Sequence, residues 1–204
     1  MKNKNQLKKI INYYINEIEY VDSPVFDKSP TEYYKIFSTT LKKIDKYKGF
    51  DIYRGYDQKR KNDLDYFLDP VKKQLVFVHG HIASSRGFIE TLVMKNSSYN
   101  IYADDILFDY YLPKYPFIRS DFHMSNDGCS YWVRVMKKAA SKGYKIIFNI
   151  EVTDPSKTNF KNGENLIDNN KIKMISDDDL YKIIRAEKSN TKIGYHVEDI
   201  TIVK

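Results

Sequence analysis

Apolar positions along the chain change their spacing near residue 50, and that change divides the sequence. Before it, Leu7, Ile10, Ile11, Tyr14 and Ile18 recur at helical intervals and predict an amphipathic helix over about 5–20. A second helix begins at Ser29, a side-chain acceptor suited to the N-cap. Pro30 fits the first helical position and Glu32 completes a capping box, ahead of the apolar series Tyr34, Phe37, Leu41 and Ile44. Gly49 is expected to end that helix or to sit just beyond its end. From Phe50 onward, short apolar runs alternate with capped segments, the pattern of a sheet carrying helices. Strands are predicted at Phe50 to Arg54, Gln74 to His79, Tyr99 to Ala103, Tyr144 to Val152 and Tyr195 to Val203. Helices are predicted over about 57–68, 85–95, 127–142 and 177–187. The third has Asn126 or Asp127 as cap and Gly143 as stop. The last has Ser176 as cap and three aspartates in a dipole-favourable first turn. The stretch from Thr153 to Lys171 is rich in Asn, Lys, Asp and Gly without apolar period, which predicts a mobile surface loop able to serve as a lid.

These elements describe a single α+β domain over 1–204, with a helical segment at 1–48 and a mixed sheet core at 49–204. The length and the 42% hydrophobic content suffice for a core that needs no staple. No run approaches a membrane span or a secretory signal. The single cysteine, Cys129, excludes an internal disulfide and fits a reducing, cytoplasmic location, including that of a protein delivered into or made inside a host cell. Thirty-four basic residues interleave with 27 acidic ones for a net charge of +7, so the excess is spread along the chain. That distribution argues against a nucleic-acid partner, for the densest basic cluster, Lys59-Arg60-Lys61, lies beside Asp63 and Asp65.

Three chemical readings compete. The first starts from the strand Phe50-Asp51-Ile52-Tyr53-Arg54-Gly55, with Ala83-Ser84-Ser85 after the strand Leu75 to His79. Glu187 then precedes Ile193-Gly194-Tyr195-His196-Val197 and the closing Ile200-Thr201-Ile202-Val203. This order resembles the mono-ADP-ribosyltransferases of the arginine, serine, glutamate type, in layout across most of Phe50 to Lys204 and in identity at a handful of residues. The resemblance implies that family's fold, NAD as the substrate and a protein target. It makes Arg54 the residue that grips the dinucleotide, with Tyr53, Gly55 and Ser84 beside it, Ser85 the brace and Glu187 the catalytic carboxylate. Breaking the nicotinamide glycosidic bond develops an oxocarbenium-like ribose, so a carboxylate beside the ribose lowers the barrier, and an arginine fork holds a pyrophosphate as lysine cannot. Arg185 stands where an arginine-modifying member carries a first glutamate, so the resemblance does not extend to arginine as the modified residue.

The second reading is a noncatalytic binding or inhibitor protein that presents some of its 18 tyrosines to a partner. The third is a cysteine hydrolase or acyltransferase. Cys129 sits at a predicted helix start, where a dipole favours a thiolate, with His196 and Asp199, or His81 and His123, as partners. Against it, Cys129, Trp132, Val133 and Met136 form one apolar helix face, which marks a core cysteine. His79 and His81 alternate along a strand and could share a metal with Asp104 and Asp105, although strand-end histidines more often cap backbone groups. Two look-alikes fail. Val76-Phe77-Val78-His79-Gly80 lacks the Gly-x-Ser-x-Gly elbow of an α/β-hydrolase, and Tyr102-Ala103-Asp104-Asp105 lacks a polymerase palm.

Overall fold

The computed structural model describes residues 28–58, 61–84, 87–121, 124–185 and 193–204. The helix predicted over 5–20, together with Ser85, His123 and Glu187, lies outside the described residues. The architecture is α+β, with mostly antiparallel strands and a few helices. The described residues form two compact units, one holding those up to Ser84 plus Glu90–Asp105, the other Gly87–Ile89 plus those from Ile106 to Lys204.

In the first unit the capping box forms as expected. Ser29 accepts from the Glu32 amide, and the Glu32 carboxylate accepts from the Ser29 amide at 2.9 Å, opening α1 (Pro30–Thr40). The helix stops short of Gly49. Thr39 and Thr40 turn their hydroxyls back onto the carbonyls of Lys35 and Ile36, Leu41 is extended, and Ile44 enters a strand instead of the helix. Strand β1 (Lys42–Tyr47) turns through Lys48 and Gly49, both at positive φ, into β2 (Phe50–Asp57). A two-residue connection with φ positive twice is the hairpin geometry that matches strand twist, and it explains why the glycine lies here and not at a helix end. A meander β3 (Asn62–Asp69), β4 (Gln74–Ser84) and the Glu90–Lys95 part of β5 (Gly87–Lys95) completes the order β1-β2-β3-β4-β5.

Three expectations fail in this unit. Helices are expected over 57–68 and 85–95, but Asn62 to Leu68 lies in β3 and Gly87 to Lys95 forms β5, and the strand expected at Tyr99 to Ala103 is instead an irregular connection that leads into α2 (Ala103–Ile106). In β3, Leu64, Tyr66 and Leu68 pack toward Tyr33 and Phe37 of α1 together with Leu75, Val78, Leu92 and Met94. Phe37 lies 4.1 Å from the Tyr66 ring. Such face-to-face burial of a helix on alternating strand positions outweighs local propensity. The opposite face sets Phe67 edge-on to Phe77, then stacks Phe77, His79 and His81 along β4 at 6.0 Å steps, all essentially buried.

In the second unit Phe88 and Ile89 of β5 pair in parallel with β6 (Phe117–Arg119), which pairs antiparallel with β9 (Tyr195–Val203). Then come β7 (Lys145–Val152) and β8 (Gly163–Ile167). Helix α3 (Asn126–Lys142) runs to Gly143 as predicted, but its cap is Ser125, whose hydroxyl accepts from the Gly128 amide. Its buried stripe includes Cys129, Trp132, Val133 and Met136 and meets α4 (Asn169–Met174), α5 (Asp177–Arg185) and β7. Ser176 caps α5 through the Asp179 amide. A π-helical turn, Leu107–Tyr111, brings Tyr111 to 4.6 Å from the Phe88 ring. The expected loop from Thr153 to Lys171 is interrupted by β8 and by the first turn of α4, for Asn165 and Gly163 are ladder partners of β7. No helix among the described residues is long and apolar enough to cross a membrane.

Candidate functional site

Ionisable side chains gather in the first unit on the face of β2, β3 and β4 that carries Phe67 and Phe77. Register aligns Arg54 of β2 with Asp65 of β3 and Asp65 with His79 of β4; one step along, Asp63 faces His81. The row is a consequence of period two, because Arg54, Asp63, Asp65, His79 and His81 occupy alternate positions on three neighbouring strands. Gly80, between the histidines, allows β4 to approach its neighbour, for a Cβ there would lie 2.8 Å from the Leu92 Cβ and 2.9 Å from the Thr91 hydroxyl.

Arg54 closes its fork on Asp65, Nε to Oδ1 at 2.7 Å and Nη2 to Oδ2 at 2.9 Å, while Nη1 lies 3.7 Å from Asp63. Asp65 is fully buried and Arg54 one-third exposed. Beside this pair His79 places Nε2 2.5 Å from Glu90 Oε1, with both side chains at most 4% exposed. His81 is wholly buried, 3.9 Å from Asp65 and 4.0 Å from Asp63. Burial pushes the His81 pKa down to about 3, assisted by the His79 and Arg54 charges and opposed by Asp65. Burial also raises the Tyr66 hydroxyl, with Asp57 and Asp65 adding to the effect. Taking an ion out of water costs several kcal/mol even after relaxation, roughly the scale on which fork geometry and opposite charge can repay it. A cluster of this cost in one place is a recognised mark of a working site as well as of a structural network.

The residues singled out in the sequence fare unequally. Arg54 is in the cluster, but its fork is committed to Asp65, so the geometry makes it a positioning residue before it can be a dinucleotide clamp. Tyr53 points to the α1 side, half-buried against that core, and Gly55 lets Tyr66 come within 3.2 Å of where a Cβ would be. Ser84 ends β4. Cys129 is buried in the α3 stripe, its thiol directed at the Met124 carbonyl at 3.9 Å, and burial raises its pKa. An exposed thiolate nucleophile is therefore not what the helix start presents. Asp199 lies on β9 at a bulge, bonded by the Asn149 amide at 3.1 Å and 3.5 Å from Arg119, while His196 faces Glu151 across the ladder. His79 and His81 do share a face, but they turn to carboxylates, and no group of three or more His, Cys, Asp or Glu among the described residues is arranged to hold a metal. Asp104 and Asp105 stand in the first turn of α2. Asp65 and Glu90 were missed by the sequence reading; the signal for Asp65 was the alternation Asp63-Leu64-Asp65-Tyr66, a strand pattern with acids on the buried side. Comparison with known proteins returns no matching family model, no similar curated protein and no similar solved structure, so the cluster stands on its own geometry.

Proposed function

We propose that the chain is an enzyme that moves a proton at the Arg54–Asp65–His79–Glu90 cluster, and that its reaction is ADP-ribosyl transfer from NAD to a macromolecule. The observation that carries the catalytic part is the His79–Glu90 contact at 2.5 Å, buried beside a second carboxylate already matched to a guanidinium. A histidine held by a carboxylate is oriented to take a proton from an incoming nucleophile, and the charge it gains is stabilised in place. A glutamate in a low-dielectric setting suits the developing positive charge of a ribose losing nicotinamide. Arg54 fixes Asp65, lies one-third exposed and has its Nη1 3.7 Å from Asp63, which places a guanidinium at the rim of the cluster. The NAD part is supported by the aromatic-Arg-Gly strand behind a capped helix, with the finer fold likeness to ADP-ribosyltransferases belonging to the same reading.

The test is nicotinamide release and label transfer from NAD in a cell lysate, for the wild type, Glu90→Gln, His79→Gln and Glu187→Gln. Glu90→Gln is expected to lower the rate by about 10²-fold or more with the unfolding midpoint retained. Absence of nicotinamide release from the wild type refutes the NAD reaction. Full activity of Glu90→Gln with loss only in Glu187→Gln moves the carboxylate role to Glu187 and refutes the cluster as the catalytic centre.

A further inference from the structure

In the second unit the segment after β7 is tied down at every turn. The amides of Thr153 and Asp154 both donate to the Gly194 carbonyl at 2.9 Å. Gly194 has φ +71, and a Cβ there would sit 2.5 Å from the Asp154 carbonyl oxygen, so this close approach needs glycine. The Asp154 carboxylate accepts from the Ser156 amide and hydroxyl at 3.0 and 2.6 Å and from Lys157 Nζ at 3.0 Å. Further on, the Phe160 amide donates to the Thr158 hydroxyl, Lys161 to Asn165, and Val152 to the Asn162 side chain at 2.6 Å. The Phe160 ring is backed edge-on by Tyr195 at 4.9 Å.

This braced turn borders an open cleft of about 600 Å³ lined by residues 155–160 and Lys171. The volume lies within the range of small-molecule sites, roughly 300–1,000 Å³. Its lining has a consistent chemistry: two ammonium groups, two hydroxyls, one carboxamide, one aromatic ring and no carboxylate. Lys157 lines one side with its Nζ paired to Asp154 at 3.0 Å, and Lys171, at the start of α4, supplies the second charge. The Lys171 ammonium, the Lys157 ammonium shared with Asp154 and the Thr158 hydroxyl favour a phosphate, and a half-buried ring with a fixed back offers a stacking platform for a planar base.

We propose that this turn binds a nucleoside monophosphate, its phosphate between Lys157 and Lys171 and its base against Phe160. The site is independent of the cluster in the first unit and of the NAD reading.

The test is a backbone amide NMR titration of the full chain with AMP, ribose 5-phosphate, adenosine and inorganic phosphate. Saturable AMP shifts at residues 156–160 and at Lys171, with weaker effects from the three fragments, are expected. Lys171→Ala should weaken AMP about tenfold, and Phe160→Leu should remove the preference of AMP over ribose 5-phosphate. An unchanged thermal midpoint for Lys171→Ala, whose side chain is exposed, separates lost binding from lost folding. The proposal is overturned if inorganic phosphate matches AMP, if AMP shifts residues elsewhere and not these, or if Lys171→Ala binds AMP like the wild type.

Discussion

Removing the Arg54 guanidinium tests whether Asp65 is buried because it is paired. In Arg54→Met the stem is kept and the two bonds of 2.7 and 2.9 Å are lost, leaving a carboxylate with no exposed surface. Breaking a buried pair by removing one partner costs about 3–5 kcal/mol. Arg54 is one-third exposed, so solvent already screens part of the interaction and the lower end, about 3 kcal/mol, applies. With a urea slope of roughly 2–3 kcal/mol/M, the unfolding midpoint falls by about 1 M or slightly more. The reverse variant, Asp65→Leu, leaves a guanidinium able to turn toward water and costs about 1–2 kcal/mol. The double variant Arg54→Met/Asp65→Leu replaces the pair by apolar surface and should lie within about 1 kcal/mol of the wild type. Urea unfolding followed by circular dichroism then yields a coupling energy of about 4 kcal/mol from the four proteins. If the single effects simply add within about 0.5 kcal/mol, the fork does not hold Asp65 in place and the cluster loses its organising pair.

Further outcomes follow from the same geometry. His81 is buried neutral with its pKa held near 3, so the unfolded chain takes up a proton that the folded chain refuses. Stability is full above about pH 6.5 and is lost as pH falls toward 3, a slope that His81→Gln should reduce when unfolding is measured at pH 7.5 and 4.5. Tyr66 has the opposite sign of dependence on alkali, its folded pKa lying above the unfolded value near 10. The contribution is full below pH 10 and lost above it, and Tyr66→Phe should flatten the decline between about pH 10 and 12. Cys129, buried with its thiol pushed up, should react with a disulfide reagent at pH 8 only on unfolding; rapid labelling of the folded chain would place the thiol at the surface and revive the nucleophile reading.

Where neighbours in sequence decide structure, the elements were readable. Ser29 and Glu32 bond each other within one turn, and the Cys129, Trp132, Val133, Met136 stripe is a property of a single helix. Strand β9 matched its prediction residue for residue. The failures share a cause. Asp63 and Asp65 read as solvated acids of a helix until Arg54 and His81, remote in the chain, come beside them through strand register and make burial of Asp65 possible. Gly87–Lys95 carries an alternation, Phe88, Glu90, Leu92 and Met94, all buried, whose apolar pattern is broken by the acid among them. The turn around Asp154 contains no apolar period because its order comes from side-chain oxygens bonded to backbone amides, which hydropathy does not register. In the candidate site the arginine could be picked out by a tripeptide, whereas its partners were fixed only by strand register.

Strand β1 has a neighbour on one side alone among the described residues, and three of its six positions are lysine, at 42, 43 and 46. An unpaired ladder is an invitation to any second copy of the chain, and a matching row of ammonium groups would have to be brought within a few ångströms for such copies to join. Part of the surplus of +7 thus acts as a guard against stacking of one molecule on another, and exchanging these lysines for threonine should make concentrated solutions gel or fibrillate while each molecule stays folded.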